Sequence, residues 1–81
     1  MNKMSEKSLR IIITFHSTTD AIMFEKYCQN KNIEGRLIPV PRAISASCGL
    51  CWSAPENEKE RIDIAVSSEM LRISEIYQMM L

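Results

Sequence analysis

The chain has 81 residues, 46% of them hydrophobic and 25% charged, and its ten basic residues balance its ten acidic ones. That size allows one domain with a small core, and a neutral chain has no long-range pull on nucleic acid or an anionic membrane, so neither is expected as a partner. The same neutrality leaves little repulsion between copies, so self-association, as a homodimer for example, is easy.

Residues 1–8, MNKMSEKS, are polar and read as a flexible N-terminal segment ahead of a single α+β domain over 9–81. They lack the apolar region of a secretory signal, and no apolar stretch approaches the ~20 residues of a membrane span. The expected compartment is the cytoplasm. There, an odd count of three cysteines argues for free thiols rather than structural disulfides.

The first element is LRIIITF, residues 9–15, rich in β-branched and apolar residues and read as a buried central strand. In HSTTD, Ser17 or Thr18 suits a helix N-cap and Asp20 a first helical turn. The apolar positions Ala21, Ile22, Phe24, Tyr27 and Cys28, with Met23 alongside, make a helical stripe running to about Asn32. Gly35 is the expected breaker in NKNIEG. RLIPV, residues 36–40, reads as a strand, and Pro39 places it at a sheet edge, because proline cannot donate to a ladder.

A connection, PRAISAS, leads into CGLCWSA, read as another buried strand. The next segment holds IDIAV, residues 62–66, which looks locally like a strand. Ile62, Ala65, Val66, Glu69 and Met70 nevertheless fall at helical spacing, and Pro55 with Glu56 makes a good helix opening. A helix over about 56–71 leaves RISEIYQM as the closing strand. The order β-α-β-β-α-β predicts a ferredoxin-like sandwich, a four-stranded antiparallel sheet with two helices on one face.

This topology has a chemical consequence. The turn from the first strand into the first helix and the connection between strands two and three fall at the same end of the sheet. FHSTTD and PRAISASCGLC should therefore face each other. A helix start offers unpaired N–H groups and a positive dipole end, which lower the pKa of a nearby thiol. Arg42 could add positive charge, and Gly49 permits a backbone geometry or a close approach that a side chain would block.

RLIPVPRAISASCGL, residues 36–50, resembles the signature of the selenium/sulfur carrier protein-like family of small bacterial domains, R-L-I-P-V-P-R-x-I-S-x-S-C-G-L. FHSTTDAIMFEK, residues 15–26, is similar to the same family's strand ending in F-x-S-T and its helix with A-x-x-x-E-K. The resemblance runs from about residue 10 to 52 and is weaker beyond. It implies a small α+β domain that carries sulfur or selenium on a cysteine, here Cys48, with sulfur- or selenium-transfer proteins as partners. Arg42, Ser45, Ser47 and Gly49 match the neighbours of that cysteine, and Ser17 and Thr18 match the helix-start pair. Two features depart from the pattern. Cys51 makes a C-x-x-C that the motif does not require, and IDIAV stands where an Ala/Leu/Glu-rich helix is usual.

Each candidate has a plainer reading. Cys48 could be a small inert core cysteine, but a loop end beside Gly49 and near Arg42 favours a functional thiol. Cys51 lies on the opposite face from Cys48 if the strand is regular from Cys48 onward, and could pair with it if Cys48 is still in the loop. The C-G-x-C spacing is only loosely similar to thioredoxin-type redox pairs, because those open a helix and this one opens a strand. Zinc would need four ligands, or three plus an open position. The candidates are Cys48, Cys51, His16 and Cys28, a weak set, so no metal is expected. His16 is read as a solvated loop residue, with a proton acceptor near Cys48 as its alternative role. Arg36 and Arg42 could hold an anion, but two arginines near a loop are usually just solvated, and Trp52 is read as covering the sheet.

No catalytic triad, phosphate loop, paired carboxylates or cofactor fingerprint is visible. The expectation is a carrier or accessory protein rather than an independent enzyme, with no cofactor. Cys48 and Cys51 are the candidate reactive residues, and Ser17, Thr18, Arg42, Ser45, Ser47 and Gly49 the candidate anion-stabilising ones. The alternatives are a self-associating regulatory module and a C-x-x-C redox protein.

Overall fold

A computed structural model of the chain describes residues 8–44, 49–69 and 71–80. The expected flexible start therefore lies outside the described residues, except for Ser8. Strand β1 (Leu9–Thr14) leads into helix α1 (Thr18–Asn30), strand β2 (Arg36–Pro39) and strand β3 (Leu50–Pro55). A single 3-10 turn, Glu56–Glu58, then opens helix α2 (Lys59–Glu69), and strand β4 (Ile76–Met80) closes the fold. The strands form one antiparallel sheet in the order β2-β3-β1-β4. With two helices, this is the α+β, ferredoxin-like arrangement that the chain order predicts.

β1 is central, and its uninterrupted apolar run reflects burial on both faces. Ile11 and Ile13 join Phe15, Phe24, Cys28, Trp52 and Ile62 in the core between sheet and helices. Ile12 turns the other way and packs with Cys51 and Ile44, flanked by Ile38, Val40, Tyr77 and Met79. Strand periodicity sends alternate residues to opposite faces, so each strand contributes to both clusters. β2 is an outer strand, where Pro39 is tolerated.

α1 starts on Ser17, whose extended backbone and side-chain oxygen make the N-cap: Oγ accepts from the Asp20 N–H at 3.2 Å. Ala21, Phe24 and Cys28 form its buried stripe. The stripe is narrower than the sequence suggests, since Ile22 and Met23 are 42% and 61% exposed. The helix also stops differently. Asn32, not Gly35, takes the left-handed conformation, with φ 57°. The Ile33 N–H donates to the Cys28 carbonyl (2.9 Å) and the Asn32 N–H to the Gln29 carbonyl (3.3 Å). These two bonds make a Schellman cap with asparagine in the usual glycine position.

Gly35 serves packing instead. Its φ is +148°, and a Cβ there would lie 2.6 Å from the Trp52 indole. Trp52 is buried and meets Phe24 edge-on at 5.7 Å between centroids. It covers the sheet as expected.

Residues 62–66 are helical: Ile62 and Ala65 are buried, Val66 half-buried, and Ile64 exposed. β-branched residues cost helix propensity, but the 3.6-residue spacing gives α2 an apolar side to lay on the sheet. Lys59 and Asp63 pair at 2.8 Å one turn apart. Met70 lies outside the described residues.

Candidate functional site

The site expected from sequence depends on which ends of the strands meet, and the register settles that. Thr14, the last residue of β1, stands opposite Cys51 in β3. Pro39, the last residue of β2, stands opposite Leu50. The Val40 N–H donates to the Gly49 carbonyl at 3.1 Å, extending the ladder one step into the connection. The start of α1 and both ends of the β2–β3 connection therefore share one end of the sheet. Ser74 and Glu75 arrive there too, bonded to Thr14.

The described part of the connection is anchored by its one large aliphatic side chain. The Ile44 N–H donates to the Pro41 carbonyl at 3.0 Å, closing a turn through Arg42 and Ala43. Ile44 then packs with Ile12 and Cys51 on the sheet face away from the helices. From sequence, PRAISAS reads only as a connection, and Ile44 has no role in it. An apolar residue inside an otherwise small and polar segment is the signal that points to this anchor.

Among the expected site residues, Ser17 and Thr18 stand at the start of α1. Ser17 spends its side-chain acceptor on the helix cap, and Thr18 is exposed. Asp20 in the first turn already answers part of the helix dipole. Arg42 is exposed in its turn. Gly49 has φ +84°, and a Cβ there would meet no atom of the described residues within 4 Å, so among them backbone conformation, not a close approach, calls for glycine. Ser45, Ser47 and Cys48 lie outside the described residues.

Cys51 is wholly buried, with its Sγ 4.0 Å from the Pro39 carbonyl oxygen. β3 begins at Leu50, after Cys48, so strand alternation sets no relation between the two motif cysteines. His16 is exposed at the same end of the sheet. Cys28 is buried on the helix side. Burial pushes its thiol up to about 12, the Glu58 carboxylate adds to this, and Arg61 opposes it. Such a thiol supplies no thiolate near neutral pH. Among the described residues, no three His, Cys, Asp or Glu side chains come together as a metal site. No helix among them is long and apolar enough to cross a membrane.

No curated protein and no solved structure matches the chain. One family model does, the one described as Putative Se/S carrier protein-like, over residues 10–78. That match reaches well past residue 52, through α2 and into β4, so the IDIAV departure falls inside it. With the sheet end, the RLIPVPRAISASCGL segment and most of the chain inside the match, the chain belongs to the Se/S carrier protein-like family.

Proposed function

We propose that this protein carries sulfur or selenium on Cys48 and passes it to a partner protein. In the loading step the Cys48 thiolate attacks the outer sulfur of a donor persulfide. A new sulfur–sulfur bond forms, the donor's own sulfur–sulfur bond breaks, and the donor leaves as a thiolate. The terminal proton stays with the transferred sulfur, and no oxidant or reductant is consumed. Selenium would follow the same exchange from a donor selenosulfide. A reducing compartment such as the cytoplasm suits a carrier that must remain a thiol between cycles.

The observation that carries this reading is the shared end of the sheet. The segment from Val40 to Gly49, in which Cys48 is the penultimate residue, leaves and re-enters the sheet beside the start of α1. Helix-start N–H groups and an exposed Arg42 are what a persulfide anion would use. The two other cysteines are poor carriers. Cys28 is buried with a raised pKa, and Cys51 is buried in the sheet. The burial of Cys51 also weighs against an openly exchanging C-x-x-C redox pair.

Incubation with a cysteine desulfurase and cysteine, followed by intact mass measurement, tests the reading. A gain of one sulfur atom that disappears in Cys48→Ser is expected. No gain in the folded wild type, or an undiminished gain in Cys48→Ser, would refute it.

A further inference from the structure

At the opposite end of the sheet, on the face away from the helices, a groove of about 500 Å³ is lined by Ser8, Arg10, Glu34, Arg36, Ile38 and Ser53. Arg10 is two residues from Ile12, Ser53 two from Cys51 and Arg36 two from Ile38. Ile12, Cys51 and Ile38 all lie in the cluster on that face, so strand periodicity puts the three polar residues there as well. The register sets Arg36 opposite Ser53, with Arg10 opposite Pro55 on the far side of β3. Two arginines thus flank one central strand.

Arg10 is held in place. Its Nε donates to the Ser53 Oγ at 3.1 Å, and one terminal nitrogen reaches the Ser53 carbonyl at 3.5 Å. Ser53 is only 4% exposed, and because its oxygen accepts from Arg10, its own hydroxyl proton remains to be donated. Among the described residues neither Arg10 nor Arg36 has a carboxylate within ion-pair distance. In a chain with no net charge, the described residues give this groove two arginines and one acid, Glu34, whose backbone N–H is committed to Glu58.

We propose that this groove binds a phosphate group, either free or on a small phosphate monoester. A carboxylate has two oxygens, which one guanidinium fork can satisfy. A tetrahedral dianion has enough oxygens for two forks approaching from opposite sides and for a serine hydroxyl between them. Glu34 on the rim lowers the affinity and sets the net charge that the ligand meets. The charged residues of the groove lie toward the other end of the strands from the Val40–Gly49 segment, and Ile38 in its lining packs in the cluster of Ile44 and Cys51.

Amide NMR titration with inorganic phosphate, and separately with phenyl phosphate, tests this at constant ionic strength. Saturable shifts centred on Arg36 and Ser53 are expected. Arg36→Gln should weaken binding about tenfold or more, the scale of one charged hydrogen-bonding partner. Because Arg36 is exposed, that variant keeps its fold. Glu34→Gln should tighten binding by about twofold or more. Tighter binding of phenyl phosphate than of phosphate would identify a monoester site, and equal binding a site for the phosphate group alone. Shifts that do not saturate, that persist unchanged in Arg36→Gln, or that acetate reproduces at equal concentration would overturn the proposal.

Discussion

Thr14 of β1 stands opposite Cys51 of β3, and the same threonine ties down the approach to β4. Its N–H donates to the Glu75 carbonyl (2.9 Å), its carbonyl accepts from the Ser74 N–H (2.7 Å), and its Oγ1 accepts from the Glu75 N–H (3.1 Å). Three passages of the chain are thereby fastened around one buried residue at the end of the sheet where the Val40–Gly49 segment leaves and returns. Thr14→Val keeps the shape and removes one acceptor. We expect a loss of about 1 kcal/mol, read as a lower denaturation midpoint with an unchanged slope. An unchanged midpoint would show that the side-chain bond contributes nothing.

Gly35 supports the opposite end of the core. A methyl group there would press into the Trp52 ring at 2.6 Å, on a backbone with φ +148°. Overpacking and the disfavoured conformation act together. Gly35→Ala should cost about 3 kcal/mol or abolish folding. Trp52, being the chain's one tryptophan, should report the change directly in its fluorescence.

Arg61 joins α2 to the end of α1. It donates to the Lys31 and Asn32 carbonyls (2.7 and 3.3 Å) and to the Glu58 carboxylate (3.0 Å). Glu58 is only 7% exposed and accepts the Glu34 N–H at 2.8 Å. Removing the arginine leaves that carboxylate without its cation. Arg61→Ala should cost about 1–2 kcal/mol, since the arginine itself is half exposed. Arg61→Lys should recover only part of this, because an ammonium cannot span both sets of acceptors. Thermal unfolding of the two variants side by side checks the order.

Cys28 gives a pH signature. Its thiol is raised from an ordinary 9.0 to about 12, chiefly by burial. The unfolded chain gives up this proton first, so the stability held by the neutral thiol is complete below the unfolded value. It is lost as pH rises toward the folded one. Denaturation midpoints of the wild type should therefore fall more steeply between pH 9 and 12 than those of Cys28→Ala. Comparing the pair cancels whatever else the two proteins share over this pH range. Parallel curves would show that burial does not hold this thiol neutral.

Much of the fold is legible in the sequence because particular residues have few alternatives. LRIIIT reads as a central strand because both of its faces are buried. Pro39 reads as an edge because it cannot donate. Residues 62–66 read as helix because Ile62, Ala65 and Val66 share a side only at a period near 3.6. The end of α1 is less legible. Sequence rules rank glycine above asparagine for the left-handed position, yet here Gly35 is needed against Trp52 and Asn32 turns the chain. Gly49 announces a special position, but only its backbone angle tells which of two reasons applies. The face that Cys51 takes depends on the pairing register of β3, and a shift of one residue reverses it. The Arg10–Ser53 pairing, 43 residues apart, exists only once register is known.

The most direct test is to load the protein from a cysteine desulfurase, digest it, and locate the added sulfur among Cys28, Cys48 and Cys51 by tandem mass spectrometry. The extra sulfur is expected on the Cys48 peptide, with Cys28 and Cys51 unmodified and loading retained in Cys51→Ser. Sulfur found on Cys51 or Cys28 instead, or no loading in a folded protein, would contradict it.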